Sequence, residues 1–117
     1  MRHNESEIQK NCILWFRLQY REYAKVIFAV PNGGKRNSRE AGRMKSEGVT
    51  SGVSDVILLV SRNGFNSLCI EFKTPKGKQT DLQREWQEHA ERHGNKYVIC
   101  RSFEDFRGVV QEYLANS

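Results

Sequence analysis

The chain has 117 residues and a formal net charge of +5, from 19 Lys and Arg against 14 Asp and Glu. That length supports one hydrophobic core and excludes two, so a single domain over residues 1–117 is expected, and the basic excess favours a polyanionic partner through long-range attraction and counterion release. No stretch approaches the roughly 20 apolar residues of a membrane span, and Glu7, Lys10, Arg17 and Arg21 interrupt the N-terminal pattern, which reads as a soluble, cytoplasmic protein without a signal peptide.

Ser6-Glu7-Ile8-Gln9 has the form of a capping box, and Ile8, Cys12, Trp15, Phe16 and Tyr23 recur at helical spacing behind it, predicting a first helix from about Glu7 to Tyr23. Lys25 to Val30 has strand composition and stops at Pro31-Asn32-Gly33-Gly34. Ser38 to Glu47 is a polar, exposed helix that Gly48 closes. Val53 to Val60 and Ser67 to Thr74 are two strands flanking Arg62-Asn63-Gly64, a hairpin signal. Thr80-Asp81-Leu82-Gln83 is a second capping box, opening a helix through Leu82, Trp86 and Ala90 to Gly94. The strand Lys96 to Arg101 follows, and Ser102 caps a last helix with Phe103, Phe106, Val110 and Leu114 on one face. The order α-β-(α)-β-β-α-β-α implies one sheet with helices packed on it. Cys12, Cys69 and Cys100 are far apart, lie in apolar stretches and form no C-x-x-C pair, so they read as buried thiols of a reducing compartment.

Chemistry concentrates in the hairpin. Leu68, Ile70 and Phe72 point one way along their strand, and Cys69, Glu71 and Lys73 the other. A half-solvated strand would show the same alternation. Asp55, however, opens the apolar run Val56-Ile57-Leu58-Leu59-Val60 on the neighbouring strand. A three-residue loop with Gly64 in the left-handed position pairs Ser61 with Phe65 and sets Asp55 opposite Glu71 on one face. A two-residue Asn63-Gly64 turn pairs Asp55 with Phe72 and sends the carboxylates to opposite faces. In the first case they sit about 5 Å apart at Cβ, close enough to share a hard divalent cation such as Mg²⁺ or Mn²⁺. Such a cation polarises a phosphoryl oxygen and acidifies a bound water, and Lys73 is placed to orient that water or offset charge developing on phosphorus.

Gly52-Val53-Ser54-Asp55 upstream of Glu71-Phe72-Lys73 resembles the D…E-x-K signature of the PD-(D/E)xK nuclease superfamily, whose core has the order α-β-β-β-α-β in a mixed sheet flanked by helices, as in restriction endonucleases. The closer similarity is to the VRR-NUC (virus-type replication-repair nuclease) domain. It rests on Glu7-Ile8-Gln9, Pro31-Asn32-Gly33-Gly34, and Glu71-Phe72-Lys73-Thr74-Pro75-Lys76-Gly77-Lys78-Gln79 running into Leu82-Gln83 and Trp86. The resemblance implies a metal-dependent deoxyribonuclease in which Asp55 and Glu71 bind Mg²⁺ or Mn²⁺, Lys73 is catalytic, Glu7 is an acid of the metal site and Gln83 is an accessory catalytic group. Glu7 in a first helical turn and Gln83 in a capping box also have purely local explanations. Stand-alone relatives imply a homodimer acting on branched or four-way junction DNA.

Lys35, Arg36 and Arg39 around the Gly-Gly turn, and Lys76 and Lys78 beyond the site strand, are the expected DNA-backbone contacts. The Gly-Gly turn lacks the pattern of a nucleotide-binding phosphate loop. His89 and His93, four apart on a helix, have no third ligand at recognisable spacing and read as exposed residues near a helix end. Trp15, Phe16, Tyr20, Phe106, Val109, Val110 and Tyr113 exceed what one core-facing stripe needs, which suggests a surface for a second copy.

Overall fold

A computed structural model describes residues 4–31 and 38–115. The first helix, α1, runs Glu5–Gln19 and is followed by a 3-10 turn at Arg21–Tyr23. Its N-cap is Asn4, whose Oδ1 accepts the Glu7 N–H at 2.9 Å. The expected Ser6 cap is therefore displaced: Asn4 supplies the acceptor three residues before a free N–H, which moves Ser6 inside the helix. The remaining elements are β1 (Ile27–Ala29), α2 (Ser38–Ser46), β2 (Val56–Leu58), β3 (Leu68–Phe72), α3 (Asp81–Arg92), β4 (Lys96–Cys100) and α4 (Phe103–Ala115). Thr80 completes its capping box, and Ser102 Oγ accepts the Asp105 N–H, as the sequence predicts. No helix among the described residues is long and apolar enough to cross a membrane.

The sheet order is β1-β2-β3-β4, antiparallel except for the parallel pair β3 and β4 that α3 connects. This is the expected mixed sheet flanked by helices. The hairpin departs from expectation in an instructive way. Its tip is a two-residue turn, with Asn63 at φ 53° and Gly64 at φ 83°, closed by reciprocal bonds between Arg62 and Phe65. Extended unchanged, that turn would pair Asp55 with Phe72. The strands instead pair Val56 with Ile70 and Leu58 with Leu68. Three residues, 59 to 61, thus separate Leu58 from Arg62, against two, 66 and 67, on the facing strand. One extra residue is a bulge, and it restores the parity that faces Asp55 toward Glu71. Tyr113 from α4 donates to the Val60 carbonyl at 2.6 Å, satisfying a buried backbone group within the bulge.

Parity along β3 divides the two layers. Leu68, Ile70 and Phe72 join Ile27, Val56, Leu58 and Cys100 in a core closed by Cys12 and Phe16 of α1 and Phe106 and Val110 of α4. The aromatics expected to spill onto a partner surface are instead used within the chain. Trp15 packs edge-on against Tyr20, Phe103 and Phe106, while Phe16, Phe106, Val110 and Tyr113 are buried and Tyr20 and Val109 rest against the core. What α1 leaves outside is Leu14 and Leu18, each 62% exposed. All three cysteines are free and buried, and burial pushes Cys12 and Cys100 up to about 12.

The opposite face of β3 is covered by α3, where Trp86 meets Tyr97 with ring centroids 6.2 Å apart. Gly52 sets the distance between α3 and the segment leading to Asp55. Its φ is +86°, and a Cβ there would lie 2.4 Å from the Leu82 carbonyl oxygen. Gly52→Ala is expected to destabilise the fold by about 3 kcal/mol, combining a left-handed backbone with overpacking. Gly48→Ala, also at positive φ but with nothing within 4 Å, should cost only about 1–2 kcal/mol. Urea denaturation of both variants checks this; equal losses would mean that the approach of Gly52 to α3 carries no weight.

Candidate active site

Asp55 immediately precedes β2. Its carbonyl accepts from Val30 N at 2.8 Å, and its Oδ2 accepts from Phe72 N at 2.7 Å. Because the Lys73 N–H donates to Cys100 on the β4 side, the Phe72 N–H must face β2. There a carboxylate, rather than a backbone carbonyl, receives it. The side chain of Asp55 is thereby drawn to the end of β3, where Glu71 stands.

Glu71 and Lys73 are not solvated strand residues: they are 1% and 6% exposed. Glu71 stands beside Asp55, accepts from Gln83 Nε2 on Oε2 at 3.1 Å, and accepts from the Tyr97 hydroxyl on Oε1 at 3.4 Å. Burial, then the charge and hydrogen bond of Asp55, push its carboxyl up to about 8; Lys73 opposes this shift and Glu5 adds to it. Glu71 is thus a buried acid that favours its protonated form, set beside a half-exposed Asp55.

Gln83 needs no choice between its two explanations. Its Oε1 accepts the Thr80 N–H at 2.9 Å, completing the capping box, while its Nε2 donates to Glu71. The first turn of α3 thus holds one oxygen of Glu71. Two further residues, absent from the expected set, hold the other: Tyr97 directly, and Gln79, whose Nε2 donates to the Tyr97 oxygen at 3.2 Å. Tyr97 reads as an ordinary strand aromatic and Gln79 as a loop residue. Only the β3-α3-β4 crossover brings them to Glu71.

A groove of about 880 Å³ opens beside Asp55 and runs along α1, lined by Glu5, Ser6, Gln9, Lys10 and Leu14 among others. Glu5 of α1 lines this groove and adds its charge to that felt by Glu71, two helical turns ahead of the buried Cys12 and so on the same face of the helix. Glu7 lies in the same first turn, its N–H taken by the Asn4 cap.

The basic residues divide. Lys76 and Lys78 are exposed on the loop after β3, which Arg101 fixes by donating from Nη1 to the carbonyls of Thr74 at 2.8 Å and Gly77 at 2.7 Å. Arg39 is exposed on α2. Lys35 and Arg36 lie outside the described residues.

Asp55 and Glu71 suit a hard divalent cation: both offer carboxylate oxygens, and a cation between them would offset the charge that burial and Asp55 make unfavourable on Glu71. Among the described residues no three His, Cys, Asp or Glu side chains converge. A cation here would have two protein carboxylates and draw its remaining ligands from water or phosphate, a set that suits Mg²⁺. In chelator, the raised Glu71 carboxyl gives a signed expectation. Its contribution to stability is fully present below the unfolded value near 4.5 and is lost as pH rises through about 8. The melting temperature of the wild type, relative to Glu71→Gln, should therefore fall between about pH 5 and pH 8. A constant difference in paired thermal melts would contradict the raised Glu71 carboxyl.

No match was found among curated proteins. A solved structure titled "VRR_NUC domain protein" superposes with a TM-score of 0.87 at 24% identity, covering 100% of this chain and 93% of that one, which establishes a common fold. The sequence matches the VRR-NUC domain over residues 3–104, bearing out the resemblance drawn from Asp55, Glu71-Phe72-Lys73 and the flanking motifs. The chain belongs to the VRR-NUC domain family, and this membership implies a nuclease-type function with DNA as the substrate.

Proposed function

We propose that this domain is a metal-dependent endonuclease that hydrolyses DNA phosphodiester bonds, with Asp55 and Glu71 holding Mg²⁺ or Mn²⁺ and Lys73 acting on the scissile phosphate. The observation that carries the reading is the placement of Asp55, bonded to the Phe72 N–H, beside the buried Glu71, with Lys73 buried two residues farther along the same strand. The bound cation would supply Lewis acidity and an acidified water. Lys73 offers its ammonium group to orient the attacking water or to offset charge on phosphorus, in a place where screening by solvent is weak. Gln83 keeps Glu71 turned toward Asp55, and Glu5 adds a third negative charge at the mouth of the groove. Lys76, Lys78 and Arg39, together with Lys35 and Arg36, grip the DNA backbone without reading its sequence.

The same reading extends to a homodimer selective for branched or four-way junction DNA. A two-fold dimer offers two identical sites to paired strands, and Leu14 and Leu18, one turn apart and exposed on α1, are apolar surface that a second copy can cover. Light scattering should then give twice the 13.6 kDa of one chain, and four-way junctions should be cut faster than linear duplex. A single-chain mass or indifference to branching would remove this extension.

Cleavage should vanish in excess EDTA and return with Mg²⁺ or Mn²⁺ but poorly with Ca²⁺, which is larger and coordinates less strictly. Cutting undiminished by chelator would overturn the metal mechanism. Lys73→Ala should abolish cleavage while leaving DNA affinity within about threefold, since one lysine provides only a share of the phosphate contacts. A variant that cuts at the wild-type rate would return Lys73 to a structural role.

A further inference from the structure

The polar side chains behind Glu71 form a hydrogen-bonded chain that has one direction. Gln87 Nε2 donates to Glu91 Oε2 at 3.2 Å. A carboxylate only accepts, so Gln87 must point its amide nitrogen at Glu91 and its Oε1 the other way. Gln87 Oε1 then accepts from Gln79 Nε2 at 2.7 Å, which fixes the orientation of the Gln79 amide as well. The second hydrogen of that amide goes to the Tyr97 oxygen at 3.2 Å. Tyr97 has a single hydroxyl hydrogen, and with its oxygen accepting from Gln79 that hydrogen is directed to Glu71 Oε1 at 3.4 Å.

We propose that Tyr97 is a positioning residue that fixes the plane of the Glu71 carboxylate for cation binding, and that Gln79 acts through it by orienting its hydroxyl. The inference rests on the reading of Glu71 as a cation ligand. With Gln83 on Oε2 and Tyr97 on Oε1, each oxygen of Glu71 has one donor from the protein, and the remaining lone pairs are left for the side shared with Asp55. Packing alone does not call for a tyrosine. The ring is buried against Trp86, a role that phenylalanine would fill, whereas a buried hydroxyl must be hydrogen-bonded to be tolerated. Gln79 and Glu71 together meet that requirement.

The test is Mn²⁺ affinity, measured by titration calorimetry or electron paramagnetic resonance without DNA, for the wild type, Tyr97→Phe, Gln79→Leu and the double variant. Outer-sphere partners of metal ligands typically contribute about 10–100-fold in affinity, so Tyr97→Phe should weaken Mn²⁺ about tenfold and Gln79→Leu severalfold. The double variant should be no weaker than Tyr97→Phe alone, because Gln79 acts only through the hydroxyl. In cleavage assays the Mn²⁺ concentration for half-maximal rate should rise in step, with the rate at saturating Mn²⁺ nearly kept. Gln79→Leu leaves the Tyr97 ring and its packing in place, so it decides the matter if Tyr97→Phe does not fold. Unchanged Mn²⁺ affinity in folded Tyr97→Phe or in Gln79→Leu, or losses that simply add in the double variant, would overturn the positioning role while leaving the nuclease reading intact. A wild type that binds no Mn²⁺ would remove that reading and the inference with it.

Discussion

The Phe72 N–H, turned toward β2, is met by the Asp55 carboxylate where a backbone carbonyl would ordinarily stand. This bond belongs to the sheet and to the site at once. It ends the β2-β3 ladder without leaving a buried donor unpaired, and it carries a charged group to the one place on β3 where another acid, Glu71, is already buried. Burial and the neighbouring charge of Asp55 both make an ionised Glu71 unfavourable there, which a bound cation would offset. Everything around them can be understood as holding that unfavourable arrangement in place.

Helix α3 does most of the holding. Its capping box spends one end of Gln83 on the helix and the other on Glu71, so the same residue that starts the helix also orients the acid. Gly52 lets the strand that presents Asp55 approach the backbone of that same first turn. The relative position of the two carboxylates is therefore set by backbone contacts between three segments, and not by flexible side chains alone. Arg101 extends the arrangement to the basic loop, tying it to the end of β4 through carbonyl oxygens.

Much of this was legible in the sequence because it followed from periodicity. The element order, the core face of β3, the Thr80 box and the adjacency of Asp55, Glu71 and Lys73 all come from alternation and capping patterns that neighbours in sequence determine. What sequence could not show depends on longer range. The bulge at residues 59 to 61 leaves no signature in an apolar run, so the sequence leaves the three-residue and two-residue turns open and does not show that a two-residue turn still faces Asp55 toward Glu71. Glu5 falls inside the helix only because Asn4 and not Ser6 caps it, and both are good caps. Tyr97 and Gln79 are distant from Glu71 along the chain and meet it only after the crossover. The surplus of aromatics on α1 and α4 was consumed by their packing on each other, which helical spacing alone does not count.

The bulge also bears on how this hairpin can vary among related chains. Side chains on a strand alternate, so a residue gained or lost on one strand between the Arg62 and Phe65 pair and the acids would turn Asp55 away from Glu71 unless a bulge were made or removed to absorb it. Losing the extra residue at 59 to 61, or gaining one opposite it beside 66 and 67, would remove the bulge and keep the acids facing. A longer tip closed by the same pair would leave them facing as well. Hairpins of different length can thus present the same pair of acids. Relatives aligned by residue count alone across this segment would appear to have lost an acid that the fold still delivers.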